Sequence, residues 1–343
     1  MKSARALTQP IAAVGIGLLI AAIVILATGG NPLDAYRAMA EGAFGSTVSL
    51  FRTLAKATPL IFTGLAVALA LRAGLFNIGA EGQLVVGGLA AAWVGFALKG
   101  LPLFLHLPIA ISAAALAGGF WALIPGVLKA WRGTHEVIVT IMMNYIAFEL
   151  THYLVNNVLR DRSSGATATP MILPSARLIS AADLNPLYSG TNLSAGLILA
   201  IIAAVGVAFL FRRTALGFEI RAVGSGAEAA RANGIPVGRT LVTAMTLSGM
   251  LAGVAGAVEV LGVHRRFLDA FSPGYGFDSI AVALLGGMNA LGVTLAALLF
   301  GGLNSGALNM ELMTGTPRQI SGIVQAVVIL AVAARYVRSK KVS

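Results

Sequence analysis

Cysteine is absent from this sequence, which excludes disulfides and thiolate metal sites and removes any cysteine-based clue to compartment. Charge is scarce: Asp, Glu, Lys and Arg make up 11% of the 343 residues, against about 25% in an ordinary soluble domain. So few charges cannot cover the surface of a water-soluble chain this size, so a soluble enzyme or binding module is excluded. The four histidines, at 106, 135, 152 and 264, are scattered. His135-Glu136 begins like a zinc-protease helix, but Val139 stands where the second histidine is required. No stretch fits G-x-x-x-x-G-K-[ST], so the chain does not hydrolyse ATP by that route. No Ser, His and Asp set is gathered as a nucleophile needs, no metal site is expected, and the chain reads as not an enzyme.

What is present is apolar. Hydrophobic residues make up 57% of the chain and mean hydropathy is +0.87. Disorder is excluded, because apolar content this high does not stay solvated. The remaining class is an all-α, polytopic integral membrane protein. The net charge of +11 does not indicate nucleic acid, which needs Lys and Arg gathered on one soluble face. Here they form short runs between apolar stretches, such as Arg212-Arg213 and Arg335 to Lys341. Anionic membrane lipid and the positive-inside rule explain that placement.

A bilayer core of about 30 Å needs about 20 apolar residues per helix. The sequence predicts about ten transmembrane helices (8–10) in one membrane domain over 1–343: 9–28, 57–71, 83–98, 108–128, 137–157, 193–211, 241–261, 276–290, 292–309 and 319–335. The second, third and eighth are short, which suggests tilted, broken or re-entrant segments. The first apolar stretch follows Lys2 and Arg5 and is longer than a signal-peptide core, so it reads as a retained anchor. With both termini cytoplasmic, 14 of the 24 Lys and Arg fall on the inner side, the expected sign of bias.

Two loops stand out, an outer one at 158–192 rich in Ser, Thr, Pro and Ala, and a charged inner one at 212–240. A short echo relates Gln83-Leu-Val-Val-Gly87-Gly88-Leu-Ala-Ala91 to Val282-Ala-Leu-Leu-Gly286-Gly287-Met-Asn-Ala290. Each follows a Gly-containing break, Asn77 to Gly82 and Ser272 to Gly276. The echo makes an inverted repeat with broken helices a candidate, a pattern that marks transporter binding sites.

Polar side chains in lipid are costly, so those within spans should face protein or a water-filled path. On the fifth span, at 100° per residue, Thr140, Asn144 and Thr151 fall within about 40° of one another. Tyr145, Glu149, His152 and Asn156 cluster on the other side, so the helix is expected to be central, either lining a pathway or fixing packing by hydrogen bonds. Asn77, Glu81 and Gln83 stand at the break before the third span, as gate residues or as caps of broken helix ends. Asn289, Asn304, Asn309 and Gln325 are further pathway candidates. Glu259, with His264, Arg265 and Arg266 nearby, reads as an ion pair at headgroup level. Gly249-x-x-x-Gly253, extended by Ser248, Ala252 and Gly256, gives the seventh span a small-residue packing face.

In the inner loop, Glu228 to Asn233 reads as one short helix, ended by Gly234 and barred from continuing by Pro236. Its Glu228-Ala229-Ala230-x-x-x-Gly234 pattern resembles the EAA loop of ABC-importer permeases. Three further motifs share the resemblance: Gly74-Leu-Phe-Asn77-Ile-Gly-Ala-Glu81-Gly82-Gln83, Gly133-Thr-His-Glu136-Val-Ile-Val-Thr140-Ile-Met-Met-Asn144-Tyr145, and Phe277-Asp278-Ser279-Ile-Ala-Val-Ala-Leu-Leu-Gly286-Gly287. Over about 55–340 the chain resembles the permeases for branched-chain amino acids, simple sugars and nucleosides, most closely the longer permease of bacterial nucleoside importers. The resemblance implies a multi-pass subunit of the bacterial inner membrane without a cofactor, ATP being bound and hydrolysed by a partner. It implies ATP-binding subunits, a second permease subunit, an extracytoplasmic substrate-binding protein and a small-molecule cargo. Glu228, Ala229, Ala230, Arg231 and Gly234 would then couple to the ATPase. The residue-level alternatives are a permease for sugars or branched-chain amino acids, or a stand-alone ion-coupled transporter using Glu149 and His152 as proton carriers.

Overall fold

Long apolar runs fold as helices in a membrane because only a helix satisfies every backbone group within one segment. The computed structural model describes residues 2–327 other than 164 and 166, with side chains described from residue 14. Among these residues there is no strand beyond two isolated bridges, Ala168 with Leu268 and Ser180 with Ser194. Seven described helices are long and apolar enough to cross a bilayer. They are α3 (Thr47–Arg72), α4 (Ala80–Ala97), α5 (Leu103–Arg132), α6 (Glu136–Tyr153, continued as a π-turn to Val158), α8 (Gly196–Arg213), α11 (Val237–Val258, continued as a π-turn to His264) and α13 (Ala290–Thr314). The first helix, α1 (Lys2–Ala27), has 26 residues and covers the expected first span to Ala27. A last helix begins at 319 and is described to 327. The rest of the expected tenth span, with Arg335, Arg338, Lys340 and Lys341, lies outside the described residues, as do the side chains of Lys2 and Arg5.

The bundle has a centre and a rim. In their most apolar stretches α3 is 83% buried and α4 72% buried, whereas α8 is 22% buried. Hydrophobicity alone could not separate these positions, because the least buried of the three, α8, is also the most apolar. Close approach at the centre depends on the small-residue face of α11. A Cβ on Gly87 would lie 2.4 Å from the Gly253 Cα, one on Gly249 2.4 Å from the Gly118 carbonyl oxygen, and one on Gly256 2.0 Å from the Leu84 carbonyl oxygen. The backbones of α4, α5 and α11 therefore touch, and no larger side chain fits between them.

The second expected span, 57–71, is neither short nor broken. It is the C-terminal part of the 26-residue α3, which begins at Thr47 with Ser46 accepting the Ser49 N–H as its cap. Arg52 and Lys56 interrupt the hydropathy and hide this upstream extension. The eighth, expected over 276–290, is the 11-residue α12 (Tyr275–Leu285). At 1.5 Å per residue α12 is about 16 Å long, too short to cross. Of the two echo segments, Gly87 lies inside α4 and Gly286 closes α12.

One amphipathic helix had no counterpart among the expected spans, α2 (Pro32–Phe44). It is started by Asn31, whose side chain accepts the Leu33 N–H, and by Pro32 in the first turn. Its Ala35, Ala38 and Ala43 pack inward, and Asn309 of α13 donates to the Ala38 carbonyl at 2.6 Å. The outer loop folds onto the bundle. Thr169, Ile172 and Leu178 donate backbone N–H groups to Phe267, Arg265 and Leu261 beyond the end of α11, and Ile172 and Ala176 are fully buried. Within it lies the single turn α7 (Ala181–Leu184), closed by a capping box between Ser180 and Asp183.

Candidate functional site

Two helices begin inside the protein, and their starts meet. After α3 ends at Arg72, the chain turns back through 73–79 and α4 starts with buried Asn77 and Gln83 at its mouth. These two amides bond reciprocally at 2.9 and 3.0 Å. Asn77 also donates to Ser248 of α11 at 2.9 Å, and Ser248 donates to the Ala66 carbonyl at 2.6 Å. Asn144 of α6 accepts the Gly82 N–H at 2.9 Å and donates to the Ile78 carbonyl at 3.0 Å. These amide groups are spent within the chain, holding the broken end of α4 against α3, α6 and α11.

Glu81, in the first turn of α4, reaches across to α12. Its carboxylate accepts the Gly276 N–H at 2.5 Å, and the Ser272 hydroxyl also donates to it. A Cβ on Gly276 would stand 2.3 Å from the Glu81 nitrogen, so the two helix starts are in backbone contact. One buried carboxylate thus serves the positive ends of both helices. Its role in this structure is to join the breaks.

The fifth expected span has two unlike polar faces. Thr140, Asn144 and Thr151 are buried, as the helical spacing predicts. Tyr145, Glu149 and His152 face outward from the chain, with Tyr145 61% exposed. His152 meets Asp269 at 2.6 Å, and Asn156 lies against the His152 ring. In its most apolar stretch α6 is 28% buried, so it lies at the rim of this chain and not at its centre. An exposed polar stripe on a membrane helix needs water or a protein neighbour.

A cavity of about 360 Å³ opens where the starts of α3 and α12 meet the ends of α11 and α13. Arg52, Lys56, Glu259, Tyr275, Asn304 and Asn309 line it. Lys56 donates to the Tyr275 hydroxyl at 3.5 Å, and His264 approaches Glu259 at 3.7 Å. Gln325 donates to Asn304 at 3.2 Å. Glu259 is 4% exposed, so the expected contact with His264 is present but sits buried at a cavity wall. Arg265 turns away from it and pairs with Asp183 at 2.8 Å in the outer loop. The Ser180 hydroxyl and N–H, together with Arg265, hold the Asp183 carboxyl down at about 2. Arg52, Lys56 and Tyr275 were missed as site residues. The available signal was the helical spacing of Arg52, Lys56 and Thr63, whose hydroxyl also approaches the Tyr275 carbonyl at 3.4 Å.

At the opposite end, the inner loop holds two helices where one was expected, α9 (Ala215–Ser225) and α10 (Ala227–Ala232). Gly234, at φ +80°, follows α10 with Pro236 beyond it. Glu228, Ala229, Arg231 and Gly234 are exposed, while Ala230 packs with Val223 and Val237. The α9 helix rests on the end of α3: a Cβ on Gly224 would lie 2.0 Å from the Arg72 carbonyl oxygen. Arg72 in turn donates to the Met288 carbonyl at 3.0 Å, in the turn between α12 and α13. Asn289 accepts the Gly292 N–H and caps α13. The α9 helix thus bears on the last turn of α3, and Arg72 ties that turn to the one between α12 and α13.

The family described as branched-chain amino acid transport system permease component matches residues 49–333. A guanosine ABC transporter permease of Bacillus subtilis, NupP, is 47% identical over 96% of this chain and 94% of its own length. A nucleoside ABC transporter permease of Lactococcus lactis, NupB, is 37% identical over 97% and 92%. A glucose ABC transporter permease of Haloferax volcanii, TsgB13, is 38% identical over 94% and 85%.

Proposed function

This chain belongs to the permease family of branched-chain amino acid transport systems, and from that premise we propose that it is the membrane-spanning subunit of an ATP-driven nucleoside importer. The observation that carries the cargo is the near full-length likeness to a guanosine permease. The likeness to a glucose permease supports a simple sugar as the second reading.

The ATPase partner docks on the inner loop, with Glu228, Ala229, Arg231 and Gly234 at the contact and Ala230 anchoring α10. What supports this is the placement of α9 against Arg72, which gives a push on the loop a direct route to α3, α12 and α13. A second permease subunit covers the polar stripe of α6, so that Tyr145, Glu149 and His152 line a path shared by the two subunits. What supports this is the cost of leaving that stripe in lipid. Asn289 and Asn304 serve the two ends, one capping α13 at the inner turn and the other lining the outer cavity. An extracytoplasmic binding protein delivers cargo to the outer face, and both termini are cytoplasmic. A nucleoside, uncharged and rich in donors and acceptors, suits a route lined by amides and aromatic rings.

The test is uptake of radiolabelled guanosine and glucose into proteoliposomes holding this chain with its ATPase, second permease and binding protein. ATP-dependent guanosine accumulation is expected. Glucose accumulation without guanosine would overturn the cargo, and accumulation by this chain alone, driven by an ion gradient, would overturn the subunit reading.

A further inference from the structure

A second cleft, about 400 Å³, opens at the inner end of the bundle. Three arginines line it: Arg72 from the last turn of α3, Arg212 from the last turn of α8 and Arg221 from α9. No carboxylate lines it, and among the described residues none of the three forms an ion pair. Arg72 is half-buried and lies over the Phe211 ring at 5.9 Å. The start of the 25-residue α13 completes the wall with Asn289, Ala290 and Leu291.

Three guanidinium groups around one cleft repel each other, and an anion held between them relieves that repulsion. Guanidinium matches phosphate in shape and in hydrogen-bonding geometry, and the free N–H groups at the start of α13 add to the attraction. The surroundings indicate the source of that phosphate. The cleft lies where α3 and α8 end, and Leu291 at its wall is 70% exposed. A headgroup can enter there while its acyl chains remain against apolar helix surface, and basic pockets between membrane helices on the cytoplasmic side are a known headgroup setting.

We infer that the Arg72, Arg212 and Arg221 cleft binds the phosphate of an anionic phospholipid, which joins α9 of the inner loop to α8 and to the α3–α13 junction. The inner-leaflet assignment rests on the docking role given above to the inner loop. Lipid occupancy then stiffens the connection between α9 and the bundle, so energy coupling depends on headgroup charge.

The experiment uses the assembled importer in nanodiscs of equal phosphatidylglycerol and phosphatidylcholine, with lipid retention read by native mass spectrometry after extraction. Selective retention of phosphatidylglycerol is expected. Arg212→Gln, at an exposed position that leaves the fold alone, should weaken it about fivefold, with a further similar loss in Arg212→Gln/Arg221→Gln, following the attraction of roughly 1 kcal/mol per basic residue. Arg37→Gln, on α2, should retain lipid as the unaltered protein does. Equal retention of both lipids, or full retention in the double variant, overturns the inference. Displacement of the lipid by millimolar inorganic phosphate overturns the lipid assignment in favour of a free-phosphate site. The readout is independent of cargo: lost guanosine uptake with lipid selectivity intact would count against the importer reading and leave this site standing.

Discussion

Gly224 offers the sharpest test of how movement enters the bundle. A Cβ there would lie 2.0 Å from the Arg72 carbonyl oxygen. That oxygen belongs to the last turn of α3 and cannot rotate away as a side chain could. Ordinary contact begins near 3.4 Å, so in Gly224→Val the helix α9 must retreat by about 1.4 Å or tilt. Its own buried contacts are few, Gly217, Ile220 and Val223, so α9 yields before the bundle does. Overpacking of this kind costs about 1–3 kcal/mol. If that cost falls on the arrangement in which α9 bears on α3, coupling weakens by roughly 5- to 150-fold. In proteoliposomes with all partners, cargo uptake per ATP hydrolysed should fall in this range while the amount of assembled transporter is unchanged. Uptake and stoichiometry within twofold of the unaltered protein would refute the claim that α9 transmits force through this contact. Equal loss of uptake and of assembled protein would show Gly224 to be a folding position only.

Asn144→Leu should leave the Gly82 N–H and Ile78 carbonyl without partners, at about 1–3 kcal/mol each, and thermal unfolding in detergent should shift down accordingly. Glu149→Leu, on the exposed stripe of α6, should keep its melting temperature and abundance but lose uptake; unchanged uptake would remove Glu149 from the pathway. Gly276→Ala should be poorly tolerated, because its Cβ would meet backbone at 2.3 Å, and limited proteolysis of the 265–275 segment should accelerate. The Asp183 carboxyl is held from 3.8 down to about 2, so its contribution to the outer loop is full above pH 4 and is lost as pH falls towards 2. Hydrogen exchange at residues 180–183 should quicken over that window, and Asp183→Asn should abolish the pH dependence.

The sequence made the class of fold legible because composition alone forces it, and every expected span described here falls on a helix. The small-residue face of α11 was legible for the same reason, since glycine spacing has one dominant use in lipid. The extent of α3 was not legible, because Arg52 and Lys56 look like a membrane boundary unless the cavity they line is known. The rank of the helices from centre to rim also escaped, because a helix apolar all round carries no mark of which side meets protein. At the site, Thr140, Asn144 and Thr151 could be placed on one face by angle, and Asn77 and Gln83 at a break by their glycines. That Glu81 would cap a helix 195 residues away depends on long-range packing that local spacing does not encode. The position of α9 escaped because it depends on Gly217 and Gly224 meeting the backbones of α8 and α3, which local spacing does not encode.

The backbone pairing between 167–178 and 261–269 sets the character of the outer face. Loops at the mouth of a bundle ordinarily fluctuate, and a protein landing on them must first freeze that motion, at about 0.5–1.5 kcal/mol for each side chain it immobilises. Here the segment is already pinned along its length, with Ile172 and Ala176 as buried studs. A binding protein docking there, as proposed above, would meet a floor already set in place and would bear less of that ordering cost.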